Sequence, residues 1–233
     1  MVAAVIFDLD GVIVDSEPVW EEVRRAYVAA HGGTWQSESQ RRLMGMSTGE
    51  WSRYLSSELG VDRTAEQVAA EVVTEMSRRY AHRVPLIGGA VDAVRRTAER
   101  WPLGLASSSP TRLIRTALDA TGLGGSFDAT LSTEETEHGK PAPDVYLAVA
   151  ERLGVDPARC VAVEDSANGV RSAAAAGMAV VAVPHGAYPL ESEAERLAAV
   201  VLSSIGELTP DVVARIHDGL GEERPGMADQ QGS

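Results

Sequence analysis

Two aspartates separated by one residue, Asp8 and Asp10, end the apolar run VAAVIF and lead into Gly11. Like charges this close raise each other's protonation unless a cation lies between them. The pair therefore either shapes a turn or holds a metal. Three more points along the chain place polar residues just past a short apolar run or its loop. They are Ser107-Ser108-Ser109 after LGLA, Lys140 within HGKPAPD, and Glu164-Asp165 followed by Ser166 and Asn168 after VAV. Together they form the inventory for phosphoryl transfer through an aspartyl-phosphate. A carboxylate nucleophile splits the reaction into two displacements, and a hard divalent cation such as Mg2+ binds carboxylates and phosphate oxygens. A lysine offsets the charge of nucleophile and phosphoryl group. Ser109 before Pro110 reads as a helix N-cap with proline in the first turn, which would aim free amides at a phosphate.

These groups can meet only if the elements carrying them end at one edge. Strand-like runs recur at 2–7, 103–106, 129–131, 161–163, 180–183 and, more weakly, 200–202. Amphipathic helical patterns at 90–100, 111–121, 145–153 and 169–176 alternate with them. Gly154 stops one of these helices, and Pro110 and Pro143 suit first turns. This alternation predicts an α/β fold with a Rossmann-like parallel sheet covered on both faces. Ligands then collect at the carboxyl ends of the strands, where all four polar groups fall.

Between about Glu17 and Arg83 no strand pattern occurs, only helical ones at 17–31, 48–59 and 64–82. Asp15 and Ser16 are positioned to cap the first, with Pro18 in its opening turn. The expected organisation is a discontinuous core, 1–16 and 87–220, with an all-helical cap, 17–86, inserted after the first strand. Linkers near 15–18 and 85–89 would let it close over the site. The polar tail 221–233 reads as disordered.

Hydrophobic residues make up 44% and charged residues 24% of the 233 residues, ordinary for a globular protein. The formal charge of −13 argues against nucleic acid and anionic membranes as partners, since those need clustered Lys and Arg. It leaves room for an anionic substrate, because a metal and a lysine reverse the sign locally. The single cysteine, Cys160, reads as a small buried hydrophobe before a strand. With no secretory or membrane-spanning segment in view, a cytoplasmic setting is expected. A monomer is the default expectation for oligomeric state. The histidines, His138 included, show no zinc spacing.

DLDGV at 8–12, the serine after the second strand, Lys140 before Pro141 and the acidic pair of EDSANG resemble the haloacid dehalogenase (HAD) superfamily. Their order and the inserted helices resemble its subfamily of phosphatases and β-phosphoglucomutase-like enzymes with a helical cap. The resemblance implies an HAD-like fold with Asp8 as the phosphorylated nucleophile and Asp10 as general acid, then base. It implies that Ser107 and Lys140 bind phosphoryl oxygens, and that Asp8, Glu164, Asp165 and the main-chain carbonyl of Asp10 hold Mg2+. The spacing agrees on Asp10, since residues two apart on a strand share a face. Ser108, Ser109, Thr48 and Asn168 are candidate substrate contacts.

Dehalogenation needs no metal or second acid, so the retained carboxylates point to Mg2+-dependent hydrolysis of a small phosphomonoester, such as a sugar phosphate. A phosphosugar mutase is the alternative. The related mutases carry an arginine near the place of Thr48, and threonine lacks the guanidinium fork that grips a second phosphate. Arg41, Arg42 or Arg53 could substitute. Imine-forming phosphonate hydrolysis is disfavoured because residues 1–84 contain no lysine. A non-catalytic phospho-aspartate regulatory module would need neither a helical insertion nor a second acid.

Overall fold

The computed structural model describes residues 1–43, 46–184 and 190–218. Six strands form one parallel sheet: β1 Ala4–Phe7, β2 Leu103–Ser107, β3 Ala129–Ser132, β4 Cys160–Glu164, β5 Ala179–Ala182 and β6 Val200–Val201. Their order is β3-β2-β1-β4-β5-β6. The order reverses between β1 and β4, where an open α/β sheet presents its crevice. Phe7 pairs with Leu105 on one side and Val163 on the other, so the residues just past these strands face one another.

Alternation along each strand sorts side chains into two layers. Val5, Phe7, Val161 and Val163 pack on one face against α5 (Ala90–Ala98), α6 (Thr111–Thr121) and α10 (Pro210–Asp218). Ala4, Ile6, Cys160 and Ala162 pack on the other against α7 (Asp144–Leu153), α8 (Ala167–Ala175) and α9 (Ser192–Leu197). The strands are apolar on both faces because both are covered. Phe7 alone, fully buried, contributes about 1.5–3 kcal/mol. On β2 a Cβ at Gly104 would lie 2.4 Å from Val149 Cγ1, so glycine lets α7 seat closely on the sheet.

Between β1 and α5 the described chain is helical: α1 Glu17–Ala30, α2 Ser39–Leu43, α3 Thr48–Arg53 running into a wider turn at Tyr54–Glu58, and α4 Ala65–His82. Thr64 caps α4, its hydroxyl accepting from Gln67 N–H and its own N–H donating to the Gln67 side chain. The strands of this insertion's two linkers bond to each other. Asp15 N–H donates to Pro85 O and Ile87 N–H to Ile13 O, with Val14 bridged to Leu86.

Two caps differ from expectation. Ser16 holds the N-cap position of α1, but its side chain caps nothing, because its hydroxyl is buried without a partner. Helix α6 spans the 111–121 expected from its periodicity, but its N-cap is Pro110 (φ −55°, ψ 141°) rather than Ser109. The Ser109 N–H instead donates to Ser107 Oγ and the Thr111 N–H to Glu134, so neither amide points free at a ligand. Gly154 does end α7, in the left-handed conformation (φ 68°). The tail expected from Gly221 lies outside the described residues, as does Gly45 beside the Thr48 segment.

Candidate active site

The carboxyl end of β1 lies between those of β2 and β4, and the sheet registers bring Asp8 and Glu164 together there. Asp8 N–H continues the ladder to Val163 O at 2.9 Å. Lys140, on the loop after β3, reaches across the end of the sheet. Its Nζ donates to Asp8 Oδ1 at 2.9 Å, Glu164 Oε1 at 2.6 Å and Ala106 O at 3.0 Å. It is the only lysine in the chain, and its side chain is 6% exposed. Burial alone would depress its pKa. The Asp8 and Glu164 carboxylates outweigh that and hold it above the usual lysine value.

Glu164 is fully buried at the end of β4. Its Oε1 also accepts from Tyr146 Oη at 2.7 Å, and its Oε2 from the Asp165 and Ser166 amides and the Ser166 hydroxyl. Ser166 caps α8 through the Gly169 N–H. Gly169 has no side chain for a physical reason: a Cβ there would sit 1.9 Å from the Glu164 carboxylate. Gly11, at φ +73°, faces Asp165 in the same way, with Oδ2 1.8 Å from a Cβ built on it.

Donor oxygens of Asp8, Glu164 and Asp165 all lie within 4.8 Å of one another. Three carboxylates against one ammonium leave two negative charges, which one divalent cation would neutralise. Burial raises Asp165 well above the usual carboxylate range, with Glu164 and Asp8 adding to it. Burial likewise pushes Asp8 up to about 8, against the pull of Lys140. Hard, closely spaced oxygen donors short of positive charge fit Mg2+.

Asp10 belongs to a separate network. Its Oδ2 accepts from Ser109 Oγ at 2.7 Å and Ser107 Oγ at 3.2 Å, while Oδ1 is buried without a partner. Ser107 is the last residue of β2, and Ser132 Oγ fixes the turn by donating to Ser109 O. Asp8 thus pairs with a cation and Asp10 with hydroxyls.

The structure brings together Asp8, Asp10, Ser107, Ser109, Lys140, Glu164 and Asp165. Ser108 is half-buried in the turn between the two bonded serines, and Asn168 is half-buried in the first turn of α8. Thr48 opens α3 behind a Ser47–Glu50 capping box. Among the described residues no hydrogen bond joins Ser108, Asn168 or Thr48 to the carboxylates. Arg41, Arg42 and Arg53 are exposed, with Arg42 over the Tyr54 ring at 4.8 Å. The buried arginine of the insertion is Arg24, which the sequence reading passed over along with Tyr146. Both sit among apolar residues at helical spacing, which reads as core. The signal was the polar tip that each such residue must satisfy.

The model of the haloacid dehalogenase-like hydrolases matches residues 2–177. Hexitol phosphatase B of Escherichia coli K12 is 35% identical over 221 residues, covering 89% of this chain and 95% of its own. The fructose-1-phosphate phosphatase YqaB of the same organism is 32% identical over 184 residues, covering 78% and 96%. Among solved structures, CbbY of Rhodobacter sphaeroides in complex with xylulose-1,5-bisphosphate superposes with a TM-score of 0.79 at 25% identity, covering 89% and 96%. With the family model spanning most of the chain and these relatives nearly end to end, the chain belongs to the haloacid dehalogenase-like hydrolases.

Proposed function

We propose that the chain is a Mg2+-dependent phosphatase that hydrolyses a small phosphorylated metabolite, of the sugar-phosphate class, through an aspartyl-phosphate on Asp8. The observation that carries this reading is the split between the two aspartates. Asp8 Oδ1 is held by Lys140, while Asp10 is held through Oδ2 by two hydroxyls, with Oδ1 left to handle a proton.

Asp8 attacks the phosphorus, forming an acyl–phosphate bond as the ester P–O bond breaks. Asp10, protonated, gives its proton to the leaving oxygen and becomes a carboxylate. It then takes a proton from a water that attacks the phosphorus, breaking the bond to Asp8 and releasing inorganic phosphate. Lys140 offsets charge on Asp8 and on the transferring group. Ser107 orients Asp10 and offers its hydroxyl to a phosphoryl oxygen. Asp8, Glu164, Asp165 and the Asp10 carbonyl would hold Mg2+, which when bound supplies charge neutralisation at the phosphoryl oxygens. Residues 17–86 act as a cap on a core of 1–16 and 87–220, excluding water during the first transfer.

No helix of the described residues is long and apolar enough to cross a membrane, and the single buried thiol of Cys160 suits a cytoplasmic setting. Hydrolysis is favoured over mutase chemistry because Thr48 lacks the guanidinium fork that grips a second phosphate, and Arg41, Arg42 and Arg53 are exposed. The test is phosphate release from an aryl phosphate with Mg2+. Activity should vanish in Asp8→Asn and with EDTA; undiminished turnover in either would refute the mechanism.

A further inference from the structure

To serve the transferring group, Lys140 must bring an N–H to a phosphoryl oxygen, yet all of its N–H groups are taken. An ammonium carries three donors. Those of Lys140 reach Asp8 Oδ1 at 2.9 Å, Ala106 O at 3.0 Å and Glu164 Oε1 at 2.6 Å. A phosphoryl group arriving at Asp8 gains a Lys140 N–H only if one of these acceptors gives it up.

The acceptors are not equivalent. Among the described residues, Asp8 Oδ1 and Ala106 O have Lys140 as their only side-chain donor. Glu164 Oε1 has a second, the Tyr146 hydroxyl, at 2.7 Å. A buried acceptor left without a donor costs its full desolvation, and more when it is charged. Glu164 is therefore the acceptor that Lys140 can leave, because Tyr146 still serves Oε1. The carboxylate itself cannot follow the ammonium, since its Oε2 is tied to the Asp165 and Ser166 amides and to the Ser166 hydroxyl.

Tyr146 is fully buried on α7, six residues after Lys140. Val145, Val149 and Ala150 share its core layer, which fixes the ring. A phenylalanine would fill the same space, so packing accounts for the ring but not for the hydroxyl. The Lys140 Nζ lies 5.1 Å from the ring centroid, within reach of the attraction between a cation and an aromatic face. The ring thus steadies the ammonium while the hydroxyl holds the carboxylate.

We propose that Tyr146 is a positioning residue for phosphoryl transfer: its hydroxyl holds the Glu164 carboxylate while Lys140 exchanges its bond to Glu164 for one to the phosphoryl group on Asp8. The inference rests on the phosphatase reading above and adds to it a residue outside the carboxylate cluster. The exchange makes and breaks only hydrogen bonds. Lys140 stays protonated and keeps Asp8 and Ala106, and one N–H moves from Glu164 Oε1 to a phosphoryl oxygen. Without the Tyr146 hydroxyl, that move strands Oε1 without a donor. States in which Lys140 grips the phosphoryl group are then destabilised more than the resting state, where Lys140 still serves Oε1.

The test is Tyr146→Phe, which keeps the ring and removes the donor. It is read by melting with Mg2+ alone, by melting with Mg2+ and beryllium trifluoride, a mimic of the phosphoryl group on an aspartate, and by turnover of 4-nitrophenyl phosphate. The shift from Mg2+ alone should match that of the wild type. The apparent affinity for beryllium trifluoride and kcat should both fall about 10- to 100-fold, the worth of a hydrogen bond to a charged group. A fall of less than about threefold in either, or loss of the Mg2+ shift as well, overturns the exchange while leaving the phosphatase standing. If the variant does not fold, the wild type decides, isotope-labelled at lysine nitrogen and glutamate carbon. Lys140 is the only lysine, so a coupling across the hydrogen bond from its Nζ to a glutamate carboxylate reports the Glu164 contact alone. That coupling should be present in the free protein and absent with Mg2+ and beryllium trifluoride; its persistence overturns the exchange. A wild type that neither cleaves the aryl phosphate nor binds beryllium trifluoride overturns the phosphatase reading itself.

Discussion

Replacing Lys140 by methionine probes the charge balance at the end of the sheet. The ammonium serves Asp8, Glu164 and the Ala106 carbonyl, and its removal takes the cluster from two excess negative charges to three. Breaking a buried ion pair by deleting one partner costs about 3–5 kcal/mol. In a chain of this size each kcal/mol moves the melting point by about 2–4 °C, so Lys140→Met should melt about 6–20 °C lower in EDTA above about pH 8, where Asp8 is ionised. The pH dependence has a definite sign. Asp8 has its folded pKa raised to about 8 from 3.8, so the folded state binds the proton more tightly. Stability therefore falls as pH rises through that interval. Lys140 offsets the charge that appears there, so the penalty of losing it is largest above about pH 8 and shrinks towards pH 5 as Asp8 gains its proton. Added Mg2+ should narrow the gap as well. Thermal melts of both proteins across pH, with EDTA and with Mg2+, read all of this. A penalty below about 1 kcal/mol, or one that is flat or grows as pH falls, would refute the charge argument.

Asp10→Asn keeps the shape and the serine contacts but cannot exchange a proton, so kcat should fall at least about 100-fold while Mg2+ still raises the melting point. Normal turnover would remove Asp10 from the proton path. Gly169→Ala drives a methyl into the Glu164 carboxylate. It should cost about 1–3 kcal/mol or more in a melt and disturb Mg2+ affinity, because Glu164 anchors Lys140, Tyr146 and the start of α8. An unshifted melt would mean that the loop yields freely.

The sheet and the polar cluster at its edge were legible because they rest on local signals. Apolar runs buried on both faces marked the strands to within a residue or two, and helix α6 lies where its periodicity put it. Asp8 and the acidic pair stood out because each comes where a strand ends, with no packing duty to explain it, and Lys140 because prolines flank it and the family resemblance includes it. The division of labour inside the site was not legible. Ser109 read as a helix cap, yet its hydroxyl holds Asp10. That choice turns on whether helix α6 begins at Pro110 or after it, a one-residue distinction that capping preferences do not resolve. Arg24 was invisible for a different reason. Its burial depends on Trp51, 27 positions away on another helix, and no spacing rule links the two.

The sole lysine of the chain is sealed behind Asp8 and Glu164, which gives the protein an unusual chemical handle. An amine-selective reagent meets one ε-amine, already protonated and shielded, plus the terminal amine. Labelling at Lys140 would thus act as a single-site clock for opening of the cluster at the end of the sheet, read from the mass of the one peptide that carries Lys140. A ligand or cation that tightens this cluster would slow that clock without any change in turnover having to be measured.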